Sequence, residues 1–94
     1  MNRVLIHCGA RIPILQAPMG WIARSAPTSA VSQAGGRGVI ETSSGETANC
    51  QCEIRAMVAS GLPSGENLPI RFLKDDAMLR CVSESGVRFA TFVA

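Results

Sequence analysis

The only imidazole in the chain belongs to His7, the one side chain whose ordinary titration range suits a general base at neutral pH. It stands before the first recognisable element, with no companion residue at motif spacing, and reads as a terminal surface histidine. Asp75-Asp76 sets two carboxylates side by side, a pairing that acid–base catalysis uses. Their place at the start of a helical pattern is better explained by capping and by complementarity to the helix dipole. The four cysteines, Cys8, Cys50, Cys52 and Cys81, contain no C-x-x-C pair. Cys50-x-Cys52 is the one close pair and lies far from His7, so free thiols are expected rather than a disulfide or a zinc site. Gly35-Gly36-Arg37-Gly38 has the glycine density of a phosphate cradle, but it precedes a strand instead of opening a helix and reads as a turn. Pro18-Met19-Gly20 and Asn67 each follow or end an apolar run; taken alone they are a tight turn and a turn asparagine. Ser43-Ser44-Gly45 follows another such run and is given no role.

The elements that would position these residues alternate. Residues 11–18 form a short apolar run closed by Pro18, which reads as a buried strand. Pro27 suits a first helical turn, and a short helix over 28–34 ends at Gly35-Gly36. A strand over 38–42 follows, then a helix over about 50–60 with Asn49 as its N-cap and Cys50, Ile54, Met57 and Val58 on one face. Gly61 stops that helix. Residues 65–70 are the weakest strand. Asp75 caps a third helix carrying Met78, Cys81 and Val82, Gly86 closes it, and 87–93 is a final strand. Glycine at every helix-to-strand junction argues for parallel strands joined by right-handed crossovers. The expected class is therefore α/β, with four parallel strands in β-α-β-α-β-α-β order. Residues 1–10 are expected to be an irregular lead.

Composition narrows the possible functions. Hydrophobic residues are 47% of the chain and charged residues 17%, enough apolar surface to offset the entropy of ordering one small domain. The net charge of +2 is spread over single Arg and Lys residues, with no basic run to mark a nucleic-acid surface. No apolar stretch reaches the length of a membrane span, and no signal peptide is read, so the default compartment is the cytoplasm.

Pro13-Ile14-Leu15-Gln16-Ala17-Pro18-Met19-Gly20 resembles the first strand and loop of the nitronate monooxygenases, also called 2-nitropropane dioxygenases. Ala30-Val31-Ser32-Gln33-Ala34-Gly35-Gly36-Arg37-Gly38-Val39-Ile40-Glu41 is similar to that family's first helix and second strand. Glu53-Ile54-Arg55-Ala56-Met57 resembles its second helix, Asn67-Leu68-Pro69-Ile70 the end of its third strand, and Gly86-Val87-Arg88-Phe89 the entry to its fourth. The likeness runs through nearly the whole chain from Ile12.

The resemblance implies the N-terminal half of a (β/α)8 TIM barrel, with FMN at the carboxyl ends of the strands and alkyl nitronates oxidised by molecular oxygen. It implies Pro18, Met19, Gly20 and Asn67 as cofactor-binding residues. Gly20 would allow close backbone approach, Met19 would offer a polarisable apolar surface, and the Asn67 amide would pair with the ring's polar edge. It assigns no catalytic residue and no metal ligand in these 94 residues, because the family's catalytic histidine and phosphate loops fall in its other half. Flavin-dependent enoyl-thioester reductases share the opening motif, so a fragment of such an enzyme is one alternative. A non-catalytic fragment or interaction module that binds no flavin is another. Ser64-Gly65-Glu66-Asn67 departs from the family by placing a carboxylate where a packing Val is usual. The inward side is expected to carry Ile14, Val39, Ile40, Phe89 and Phe92, and its open edges to favour self-association or pairing with a complementary half-barrel.

Overall fold

A computed structural model describes residues 2–94 as helices packed on a parallel sheet. The chain runs through α1 (Arg3–Cys8), α2 (Ser25–Gln33), β1 (Gly38–Ile40), α3 (Thr47–Ser60), β2 (Ser64–Pro69), a 3-10 turn (Ile70–Phe72), α4 (Ala77–Glu84) and β3 (Ala90–Val93). The sheet order is β1-β2-β3, and both pairings are parallel. The run over 11–18 is reduced to one parallel bridge, Leu15 to Arg37, on the free side of β1. Arg37 N–H donates to Ile14 O at 2.9 Å and Gln16 N–H to Arg37 O at 3.0 Å. The expected strand order is therefore kept while its first member is only nascent, because Pro13 and Pro18 remove two donors from a short run. This is α/β architecture compatible with part of a (β/α)8 barrel.

The lead expected to be irregular contains α1. Its ends carry ordinary capping chemistry: Asn2 Oδ1 accepts from Val4 N–H at 2.9 Å, and Gly9 takes the left-handed conformation at φ 71°. The second helix of the sequence reading starts earlier than expected. Glu46 is the N-cap of α3, and Asn49 lies inside the first turn, donating to Glu46 Oε2 at 3.2 Å. At α4 the N-cap is Asp76 rather than the expected Asp75, and its side chain makes no capping bond; Asp75, one residue earlier, accepts from Ala77 N–H at 2.9 Å through Oδ1.

Ile40, Cys50, Ile54, Met57, Leu68, Met78 and Val82 form one buried cluster between the sheet and the helices α3 and α4. Strand residues alternate in direction, so Val39 points to the opposite face from Ile40. Gly65 pairs in register with Val39, and Asn67 with Thr91, placing these on the face turned from α3 and α4. The expected inward set is corrected accordingly. Ile40 faces the helices, and Phe92 shares the face of its partner Leu68 and is exposed at the sheet edge. Ile14 is exposed, its neighbour Leu15 making the bridge. Val39 and Phe89 remain on the predicted side, Phe89 meeting the His7 ring of α1 edge-on at 6.1 Å.

Gly38 is where α2 meets β1. A Cβ there would fall inside the contact radius of the Thr28 carbonyl oxygen and 2.5 Å from Thr28 Cγ2. Gly38→Ala is therefore expected to destabilise the chain by about 2–3 kcal/mol through overpacking. Urea unfolding should show a lower midpoint at an unchanged m-value; a wild-type midpoint would contradict the close approach.

Candidate functional site at the carboxyl ends of the strands

The loops after successive strands converge at one end of the sheet. After the Leu15 bridge, residues 17–24 turn tightly: Met19 N–H donates to Ala17 O at 2.9 Å, and Met19 O accepts from Ala23 N–H at 2.9 Å. Ala23 O in turn accepts from Glu41 N–H at 2.9 Å, which fastens this loop to the end of β1. Gly20 faces Ser43, whose Oγ would lie 3.0 Å from an added Cβ. Thr42 Oγ donates to Asn67 O at 2.6 Å. The Pro18-Met19-Gly20 loop and Asn67 thus lie on the same rim, brought together through residues 41–43.

Asn67 is buried, and its Oδ1 accepts from Thr91 Oγ at 2.7 Å. Its Nδ2 meets no acceptor among the described residues, leaving one amide donor at the strand end. Met19 is 51% exposed and Trp21 64%, so the loop over 17–24 on this rim carries two large uncovered apolar surfaces. Trp21 has φ 69°, a left-handed backbone that costs a non-glycine residue energy and that concentrates at ligand-contacting loops. Sequence reasoning did not single out Trp21; its place directly after the Met-Gly turn was the available signal.

The loop over 43–46 is held by charge. Arg24 Nε contacts Glu41 Oε1 at 3.1 Å and its Nη2 contacts Glu46 Oε1 at 2.6 Å. Glu41 is fully buried, and its Oε2 accepts from Ser44 N–H at 3.0 Å. Burial alone would raise the Glu41 carboxyl. The hydrogen bonds from Ser44 and Arg24 outweigh it and hold the group below the ordinary carboxylate range. Burial raises the Cys50 thiol, whose Sγ sits 3.6 Å from Glu41 Oε1, so Cys50 is an inert core thiol rather than a nucleophile. Cys81 packs against the helix cluster. Ser43-Ser44-Gly45 is thereby a braced loop of this rim. Asp75 and Asp76 lie outside it at the start of α4; Asp75 accepts from Ala77 N–H, and Asp76 pairs with Arg80 at 2.8 Å, four residues on.

No family model matches the chain, and no curated protein sequence matches it. Among solved structures it is similar to FabK from Thermotoga maritima, with a TM-score of 0.89 and 26% sequence identity. The likeness covers 100% of this chain and 30% of that one. No helix of the described residues is long and apolar enough to cross a membrane. Over its whole length this chain carries the fold of the matching part of FabK, an α/β fold compatible with part of a TIM barrel, and it spans less than a third of that protein.

Proposed function

We propose that this chain forms the flavin-contacting part of an FMN-dependent oxidoreductase, with Pro18, Met19, Gly20 and Asn67 at the ring. The observation that carries this reading is the meeting of the Met19 loop and Asn67 on one carboxyl rim, in a fold superposing on FabK at a TM-score of 0.89. Ligands of parallel α/β barrels bind at that rim.

The residues present suit one edge and one face of a flat heteroaromatic ring. Asn67 Nδ2 is a free donor for a ring carbonyl or nitrogen, fixed in place because Thr91 takes up Oδ1. Met19 and Trp21 offer exposed apolar surface for the ring's face. When bound, FMN would supply the electron transfer. This chain's residues orient the ring and shield it from water. The reading includes closure of the barrel by strands that pair with the Leu15 and β3 edges, from further sequence, a complementary half or a second copy.

Two substrate classes fit. The sequence motifs resemble those of enzymes that oxidise alkyl nitronates, and the opening motif Pro13 to Gly20 is shared with flavin-dependent enoyl-thioester reductases. With flavin loaded, oxygen uptake on adding a nitronate would favour the first, and loss of conjugated-thioester absorbance the second.

The cofactor assignment is tested by titrating the chain into FMN. Flavin fluorescence is expected to quench saturably, and Asn67→Ala to weaken binding about tenfold with an unchanged far-UV circular dichroism spectrum, the scale of one lost hydrogen bond. Unaltered flavin fluorescence at high protein concentration would favour the alternative of a module that binds no flavin.

A further inference from the structure

A second cavity, of about 530 Å³, opens at the opposite end of the sheet. Its wall is built from the amino ends of the strands: Arg37 before β1, Pro63 and Ser64 entering β2, and Gly86 and Arg88 before β3. Its volume lies in the range of small-molecule sites. None of the flavin-site residues lines it.

Arg37 is the unusual member of this wall. It is only 5% exposed, yet its side chain makes no hydrogen bond and no ion pair among the described residues. Its Nε is sealed from solvent without a partner. The Phe89 ring lies 5.6 Å from the guanidinium carbon and shields one side of it. Burial lowers the Arg37 pKa from its ordinary value, with Cys8 and Glu66 opposing the shift. Guanidinium nonetheless keeps its charge in proteins. Glu66 lies beyond ion-pair distance and is itself left without a hydrogen bond. A buried cation with no counter-charge is costly, and a guanidinium presents a planar fork of N–H donors that matches an oxyanion.

We propose that this amino-end cavity binds a small oxyanion, a phosphate or carboxylate group, held by Arg37 with the exposed Arg88 at its mouth. The group would supply a counter-charge that the described residues do not provide, and Arg88 would attract anions toward it. The site is separate from the flavin rim and does not depend on flavin binding there.

Inorganic phosphate is the first probe and acetate the second, each read by thermal unfolding of the flavin-free chain against sodium chloride at equal ionic strength. Phosphate is expected to raise the melting temperature saturably, by roughly 5 °C when well above its Kd. A larger response to phosphate identifies a phosphoryl ligand and a larger response to acetate a carboxylate; either supports the site. Arg37→Met should abolish the shift while melting higher than wild type without ligand, because an unpaired buried charge is gone. That rise separates loss of binding from loss of folding. Arg88→Ala should weaken the response several-fold. An equal effect of chloride, or a phosphate shift that survives in Arg37→Met, would overturn the proposal.

Discussion

Replacing Glu66 by glutamine is expected to flatten the stability of this chain between about pH 4.5 and pH 8. Glu66 is fully buried in the middle of β2, and neither carboxylate oxygen has a hydrogen-bond partner. Its register partners are Ile40 on β1 and Ala90 on β3, and Ile40 belongs to the apolar cluster under α3 and α4. Desolvation lifts its pKa from the usual 4.5 to about 8, with the positive charge of Arg37 acting weakly against it. The folded chain therefore holds a proton that the unfolded chain releases. Below about pH 4.5 both states are protonated and the full contribution of the neutral acid is present. As pH rises the unfolded state ionises first, stability falls by roughly 1.4 kcal/mol per unit, and the slope ends once the folded carboxyl also ionises near pH 8. The total is on the order of 5 kcal/mol, comparable to the whole stability of a domain of this size.

Urea titrations at several pH values would measure this. Subtracting the Glu66→Gln profile from that of the wild type isolates the one group. Glu66→Val should stabilise further above pH 8, since it also removes an unsatisfied polar group. Parallel profiles for wild type and Glu66→Gln would mean that the carboxyl reaches water or a partner in solution.

Much of this architecture was legible because local signals and tertiary demands agreed. Gly35, Gly61 and Gly86 all adopt positive φ at the junctions where helices had to end, and that punctuation carried the inference of parallel strands. Met78 and Val82 on α4 are buried as their spacing required. Where the reading failed, a rule was missed or a long-range effect decided. Consecutive residues Val39 and Ile40 cannot share a face, and only the register with Gly65 and Glu66 fixes which one meets the helices. The caps of α1 were present in Asn2 and Gly9 but the segment is too short for a clear hydrophobic period. At the site, the family resemblance points to Met19 and Asn67, and the fold brings their loops to one rim. Nothing local in the sequence joins Arg24 to Glu41, since 17 residues separate them. The clue was an acid directly continuing the buried run Val39-Ile40, which needed a cation from elsewhere in the chain.

That cation makes Arg24→Met the second large effect, with an expected loss of about 3–4 kcal/mol at neutral pH. Arg24 is mostly buried and bridges two carboxylates, one of them the fully buried Glu41. Methionine keeps most of the side-chain volume but leaves Glu41 ionised in an apolar setting, supported only by Ser43, Ser44 and Cys50. In the wild type Glu41 is held below its ordinary pKa, so its contribution is present above about pH 4.5 and lost as pH falls through the depressed value. Removing Arg24 takes away part of what lowers this pKa while the bonds from Ser44 remain, so the carboxyl is protonated more readily than in the wild type and the variant should recover part of its deficit under acid conditions. Arg24→Met with Glu41→Met should be more stable than Arg24→Met alone, because the stranded charge is gone. Equal urea midpoints for Arg24→Met and wild type would show that the pair contributes nothing. The same substitution tests how the rim is built: Arg24 lies 5.8 Å from the centre of the Trp21 ring and ties residues 41–46 beside Gly20. Without it, the Met19 and Asn67 loops lose the brace that sets their spacing, and any ligand that needs both should bind more weakly even at pH values where the chain stays folded.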